Sequence, residues 1–225
     1  MKYLIYLLNT CCIVLLCILS AYSQNQALQT RHSISLDKKI NGNFDLEGKY
    51  EVRLKNISPH FDKHYIELKG EYKGFDWLDM DLGYRFTRDK KLHFTEKLHR
   101  VSLDLDKEIE IDGINTAINN NIKFLSEYAT SGALSYQNPK TYFQNEITAT
   151  YHITNWKPNP YFAFKYYVPL YQKPFPVVDK NRFTIGTDFA LINNLELDIS
   201  YMFEKSLGDT SFYLHILSFG LTFGY

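Results

Sequence analysis

The chain has 225 residues, and its 25 lysines and arginines balance 25 aspartates and glutamates, so its formal net charge is zero. This balance excludes a polybasic nucleic-acid-binding protein, and a hydrophobic content of 45% excludes a disordered chain. A mean hydropathy of −0.30 excludes a polytopic helical membrane protein. Aromatic residues reach 16%, with 18 tyrosines and 16 phenylalanines, which is more than the core of an ordinary small domain needs.

Residues 1–23 are predicted to form a signal peptide. Lys2 supplies a positive start, an apolar run follows over Leu4–Leu19, and Ala21-Tyr22-Ser23 has the small residues that a signal peptidase recognises. The run is shorter than the roughly 20 residues of a membrane-spanning helix, although an uncleaved N-terminal anchor is an alternative. All three cysteines lie in this segment, which leaves the mature chain without disulfides, cysteine nucleophiles or thiolate metal sites. Residues 24–30 are predicted to be a short tail, and residues 31–225 a single domain.

From Phe44 to Leu54 the chain alternates between apolar and charged residues, which predicts a β-strand with one apolar and one polar face. No Asp, Glu, Lys or Arg lies on the apolar faces of the nine clearest segments of this kind, whereas the opposite faces are rich in charge. The other eight are Ile66–Tyr72, Leu78–Phe86, Val101–Leu105, Phe143–Ile153, Phe162–Val168, Phe183–Leu191, Leu195–Phe203 and Phe219–Tyr225, and two weaker segments are Ser33–Ile40 and Ile122–Tyr128.

Three features favour an outer-membrane β-barrel over a soluble barrel or sandwich. Several strands are long enough to cross a bilayer when tilted, the polar faces are dense with ionised residues, and short and long connections alternate along the chain. Trp77 and Trp156 lie beside short connections, and with the terminal Tyr225 they are predicted to form an interfacial aromatic girdle. Location in the bacterial cell outer membrane, in contact with its lipid, follows from this interpretation.

The predicted fold is therefore all-β, an antiparallel up-and-down transmembrane barrel of ten or twelve strands. The pattern gives eleven segments, but bacterial single-chain barrels have an even number. A twelfth strand within Lys107–Asn120 would restore an even number, and so would exclusion of Ser33–Ile40 from the wall. The sequence leaves these two alternatives open.

The last seven residues, Phe219-Gly-Leu-Thr-Phe-Gly-Tyr225, alternate bulky side chains up to a terminal aromatic. This end resembles the C-terminal strand signal that the outer-membrane assembly machinery recognises. Together with Gly83–Phe86, His99–Val101, Asn181–Gly186 and Leu197–Tyr201, it makes the mature chain resemble the uncharacterised outer-membrane β-barrel family filed as domain-of-unknown-function family 2490. The resemblance implies an outer-membrane location and no particular activity.

Charged side chains on the inward faces are predicted to be segregated along the barrel axis. Four arginines are placed near the outer mouth as a basic ring: Arg53, Arg85, Arg100 and Arg182. An acidic half is placed below it: Asp45, Glu47, Asp79, Asp81, Asp104, Asp106, Asp188, Glu196 and Asp198. These charges either fill the lumen as structural ion pairs or line a small channel in which the arginines recruit an anion.

An enzyme or a metal-binding protein is the alternative function. Its candidate residues are four histidines predicted in two neighbouring outer connections: His60, His64, His93 and His99. No HExxH, GxSxG, GxxxxGK[ST] or GxGxxG motif is present, so nothing supports a nucleotide partner, and no cofactor is predicted. No basic-aromatic nucleic-acid surface is present either. The catalytic residues, if there are any, are unknown from sequence.

Overall fold

The structure is a computed structural model that describes residues 27–55, 61–75, 77–91, 93–111, 115–131, 139–153, 158–171, 177–192, 194–207 and 212–225. Within these ranges no helix has the length and apolar character needed to cross a membrane. The predicted signal peptide, His60 and Trp156 lie outside the described residues. The described residues form eleven strands: β1 Ala27–Asn41, β2 Phe44–Lys55, β3 Phe61–Phe75, β4 Leu78–Lys90, β5 Thr95–Ile111, β6 Thr116–Ser131, β7 Lys140–Tyr151, β8 Pro158–Pro169, β9 Lys180–Ile192, β10 Leu195–Ser206 and β11 Tyr213–Gly224.

The strands form one closed barrel in chain order. Each strand pairs antiparallel with its neighbour in sequence, and β1 closes the barrel by pairing with β11 in parallel. The prediction of an up-and-down barrel is confirmed, apart from this one parallel seam. It arises because an odd number of alternating strands leaves the first and the last running in the same direction.

The prediction of ten or twelve strands is wrong. Ser33–Ile40 lies in the wall as part of β1, so the alternative of ten strands fails. Lys107–Asn120 holds no additional strand, because its two ends belong to β5 and β6. Parallel pairing is only slightly less stable per residue than antiparallel pairing. Closing a barrel that has an odd number of strands therefore costs little stability.

The two ends of the barrel differ in their connections. At one end, here called the turn end, strands are joined by residues 42–43, 76–77, 112–115, 152–157 and 193–194. At the other, the loop end, they are joined by residues 56–60, 91–94, 132–139, 170–179 and 207–212. Strand β1 starts at the loop end with Ala27, so residues 27–30 of the predicted tail belong to the barrel wall.

Strand alternation separates the side chains into an inner and an outer set. Inner carboxylates such as Asp81 and Asp104 are each 2% exposed, whereas outer residues such as Leu82 and Ile185 are 64% and 63% exposed. A water-soluble protein has the opposite arrangement. The lumen is therefore the polar interior of this molecule, and the apolar residues form its outer surface.

Candidate functional site in the barrel lumen

Each of the four predicted ring arginines faces the lumen and is paired with a glutamate. Arg85 makes a bidentate contact with Glu67, with Nη2 2.9 and 2.8 Å from the two carboxylate oxygens. The shortest contacts of the other pairs are 2.7 Å for Arg53–Glu51, 2.7 Å for Arg100–Glu127 and 2.5 Å for Arg182–Glu204. The glutamates therefore neutralise the positive charge of the four arginines. A ring that recruits an anion would instead have unpaired arginines.

Two buried tyrosines contact the arginines of these pairs, Tyr65 with Arg53 and Arg85 and Tyr167 with Arg182, and neither tyrosine was predicted from sequence. Tyr65 is 4% exposed, donates its hydroxyl hydrogen to Glu51 at 2.7 Å, and has the Arg85 guanidinium 3.9 Å from its ring centroid. Tyr167 is 8% exposed and has the Lys180 ammonium 4.3 Å from its ring centroid. Both arrangements are cation–π contacts in a site largely removed from water, where such contacts are strongest.

Arg31 is a fifth arginine of this layer, and it is the one without a carboxylate partner. It is 6% exposed, and its Nε donates a hydrogen bond to Gln29 Oε1 at 2.9 Å. Its register partner on β2 is Arg53, so two guanidinium-bearing residues lie side by side. In the described part of the chain no carboxylate is within ion-pair distance of Arg31. Arg31 was not predicted as a site residue because its strand is one of the two in which the alternation is weak.

The predicted acidic residues face the lumen in the half nearer the turn end, but lysines pair with several of them, and one such contact joins Lys73 Nζ to Asp45 Oδ2 at 3.0 Å. Lys69 Nζ is 2.5 Å from Asp81 Oδ2, and Lys123 Nζ is 2.6 Å from Asp104 Oδ2. Asp81 and Asp104 are register partners, and the Oδ1 atom of each is buried without a hydrogen-bond partner. The charge segregation predicted from sequence is therefore only partial.

A second group of carboxylates lies on β9 and β10. Asp188 and Asp198 are register partners, and Tyr161 donates a hydrogen bond to Asp198 Oδ2 at 2.7 Å. The ring of Tyr161 lies over Gly186, where a Cβ atom would overlap the ring carbon Cζ. Gly186 is therefore required for the close approach that delivers the tyrosine hydroxyl to Asp198.

Beyond the strands, at the loop end, Lys91 continues the ion-pair pattern. Its Nζ is 2.8 Å from Asp89 Oδ2 and 3.9 Å from Glu96 Oε2. Partial burial disfavours its charge, but the two carboxylates outweigh this effect and raise the pKa of Lys91 above its ordinary value.

The predicted histidine cluster does not form among the described residues. The prediction that His64 and His99 belong to outer connections is wrong, because they lie in β3 and β5, on the outer face of the barrel. The strands extend further than their apolar alternation suggests. His99 Nδ1 is 2.7 Å from the Tyr84 hydroxyl, its ring stacks on Tyr128, and His93 is exposed in a connection. In the described ranges no three potential ligand side chains come together to hold a metal ion.

Aromatic residues lie on the outer surface at the turn end. Trp77 is 62% exposed and lies 6.3 Å from Phe75, and Phe75 lies 5.7 Å from Tyr72, measured between ring centroids. Tyr225 is 75% exposed at the same end. These positions are consistent with the predicted girdle, which remains a prediction.

No protein-family model matches the chain, and the comparison with curated proteins gave no match. Among solved structures, the chain is similar to a bacterial polysaccharide outer membrane secretin, with a TM-score of 0.47 and 14% identity, over 79% of this chain and 73% of that chain. It is also similar to the β domain of the Bordetella autotransporter BrkA, with a TM-score of 0.45 and 11% identity, over 79% of this chain and 82% of that chain. Similarity at this level supports no assignment of function.

Proposed function

We propose that this protein is a bacterial outer-membrane β-barrel with a structural role, whose lumen is filled by ion-paired side chains and does not form an open pore. The observation that carries the proposal is the inverted distribution of polarity. Buried carboxylates and arginines lie inside the closed barrel, and exposed isoleucines, leucines and phenylalanines surround it. An apolar outer surface of this extent requires a hydrocarbon environment.

The dimensions of the strands support a membrane-spanning barrel. The shortest strands have 12 residues and the longest has 17, whereas a tilted strand crosses a bilayer with about 9–11. The turn end is assigned to the periplasm and the loop end to the outside, because outer-membrane barrels have short periplasmic turns and longer outer loops. The C-terminal signal for the assembly machinery and the resemblance to family 2490 stand beside this proposal as predictions from sequence.

The packing inside the barrel supports a closed lumen. Inward-facing side chains are buried at several levels between the loop end and the turn end, including Glu96 at 6%, Leu125 at 3%, Ser200 at 3% and Asp81 at 2% exposure. A water-filled channel would leave these groups accessible to solvent. Most of their charges are instead satisfied by neighbours, as the cost of burying ions requires.

Two measurements test the proposal in order. A heat-modifiability gel on the mature chain folded in detergent is expected to show a compact, fast-migrating form that is lost on boiling. The same protein in planar bilayers is expected to give no discrete conductance. A chain that is monomeric and folded in buffer without detergent would contradict the membrane location, and regular channel openings would contradict the closed lumen.

A small channel is the second candidate, and Arg31 is the observation that favours it. This buried guanidinium has no carboxylate within ion-pair distance in the described structure, so it is an inward-facing cation that could attract a small anion. Openings that lose their anion preference in the variant Arg31→Gln would favour this candidate. The enzyme or metal-binding alternative gains no such support, since two of its histidines face outward on separate strands.

A further inference from the structure

The outer surface carries a group of basic side chains at the loop end of strands β4 and β5. Arg88, Lys90 and Lys97, here called the basic cluster, are all exposed. Their inward neighbours Asp89 and Glu96 are 5% and 6% exposed, so strand alternation directs the three basic side chains outward.

The basic cluster places like charges next to each other. Arg88 and Lys97 are register partners on adjacent strands, and His64 is the partner of Arg88 on its other side. Like charges directly opposite each other destabilise a sheet unless a counter-charge is present. Among the described residues no carboxylate forms an ion pair with any member of the cluster. The neighbouring loop-end connections, residues 56–60, 91–94 and 132–139, contain no Asp or Glu in the sequence.

An aromatic belt lies immediately below the basic cluster, towards the centre of the barrel. Phe86, His99 and Tyr128 follow one another across β4, β5 and β6 as register partners. Their rings are in contact, with centroids 5.2 Å apart for Phe86–His99 and 5.1 Å apart for His99–Tyr128. Apolar residues such as Leu82 and Leu103 follow below the belt. From the centre of the barrel to the loop end, the outer surface thus changes from apolar residues to aromatic rings to cations. A lipid leaflet changes in the same direction from acyl chains, through the interface, to phosphates.

We propose that the basic cluster binds the phosphate groups of an anionic glycolipid in the leaflet at the loop end. The Arg88 guanidinium can contact two phosphate oxygens at once, and Lys90 and Lys97 supply adjacent positive charge. The phosphate provides the counter-charge that these side chains do not find among the described residues. This inference rests on the proposed membrane location.

Binding of diphosphoryl lipid A to the full mature chain, inserted in phosphatidylcholine nanodiscs, tests the proposal. The wild type is expected to bind lipid A, with an affinity that falls as ionic strength rises. The triple variant Arg88→Gln, Lys90→Gln, Lys97→Gln is expected to bind about a hundredfold more weakly, since each basic group near an anionic surface contributes about fivefold. The matched control, Lys38→Gln with Lys107→Gln, removes two exposed outward lysines at the turn end, which are flanked by Leu46 and Asn120, and is expected to bind as the wild type does.

Each other outcome overturns the inference in a recognisable way. Equal binding by the triple variant shows that the cluster is merely solvated, and competition by inorganic phosphate alone shows a site for the free anion. Insertion of the wild type without lipid A binding refutes the lipid site but leaves the membrane location intact, whereas failure to insert refutes both. Should the triple variant fold poorly, Arg88→Lys compared with Arg88→Gln provides a milder pair, in which the lysine variant keeps more affinity.

Discussion

Tyr65 donates a hydrogen bond to Glu51 across the lumen-facing surface of β2 and β3, with 2.7 Å between the two oxygens. Glu51 also accepts a hydrogen bond from Arg53, and the guanidinium of Arg85 lies over the Tyr65 ring. One phenol therefore connects a carboxylate and two cations from three adjacent strands. This connection joins the charged side chains in the part of the lumen nearer the loop end into one network rather than a set of separate pairs.

Removal of the Tyr65 hydroxyl tests that network. Tyr65→Phe keeps the ring and its contact with Arg85 but leaves Glu51 Oε2 without its tyrosine donor, so the free energy of unfolding is expected to fall by about 1.5–3 kcal/mol. Urea unfolding in detergent micelles measures it. Tyr84→Phe is the matched control, because it removes an exposed outer hydroxyl that is 2.7 Å from His99 Nδ1. An equal effect of the two substitutions would contradict the special role of Tyr65.

The Arg85–Glu67 pair is expected to be worth more to the fold than a surface ion pair. Arg85→Leu leaves the half-buried Glu67 without its bidentate partner and is expected to cost about 3 kcal/mol, and adding Glu67→Leu is expected to recover most of that loss. Lys55→Gln is the control, because the Lys55 side chain is 58% exposed in its contact with Asp62 and is expected to change stability by less than about 1 kcal/mol. If the double variant is no more stable than Arg85→Leu, the loss does not come from an uncompensated charge.

Gly186 is expected to be intolerant of a methyl group. Gly186→Ala forces the Tyr161 ring off its position and removes the donor from Asp198, at a cost of about 1–3 kcal/mol. Gly48→Ala is the control, because a Cβ there would meet only Leu68 Cδ2, at an ordinary 3.7 Å. Near-ultraviolet circular dichroism and thermal unfolding in detergent report the two effects. A stable Gly186→Ala protein with unchanged tyrosine signals would show that Tyr161 does not depend on this approach.

The parallel seam can be tested by cross-linking, since residues 24–225 contain no cysteine. Thr30 and Leu217 are register partners on the outer faces of β1 and β11. The variant Thr30→Cys, Leu217→Cys is expected to form a disulfide in the folded protein, visible as altered mobility on a non-reducing gel. Thr30→Cys with Leu221→Cys, displaced along β11, is expected to remain reduced. The reverse result would contradict the eleven-strand closure.

Strand positions were predictable from sequence because each strand has one face towards the polar lumen and one on the apolar outer surface. Charged and apolar residues therefore alternate along the strand. The segment predicted at Phe44–Leu54 is observed as Phe44–Lys55. The strand number was not predictable, because closure depends on how β1 meets β11. The alternation of β1 is weak, since its inward residues include the neutral Ser33 and Ser35 rather than charged side chains.

The chemistry of the lumen was predicted only in part, for a different reason. The inward direction of Arg85 and Asp81 follows from alternation alone. Their partners Glu67 and Lys69 depend on the register between β3 and β4, which the sequence does not reveal. A ring of arginines and an acidic half therefore emerged from the sequence as separate features. The register shows that much of the charge is cancelled locally.

The odd number of strands also decides where the two termini of the wall emerge. Strand β1 enters the wall at the loop end and β11 leaves it at the turn end, so a peptide epitope placed immediately before Ala27 and another after Tyr225 would face different compartments. With the orientation proposed above, an antibody added to intact cells is expected to label the first epitope and to reach the second only after the envelope is permeabilised. In a barrel with an even number of strands both epitopes would share one side.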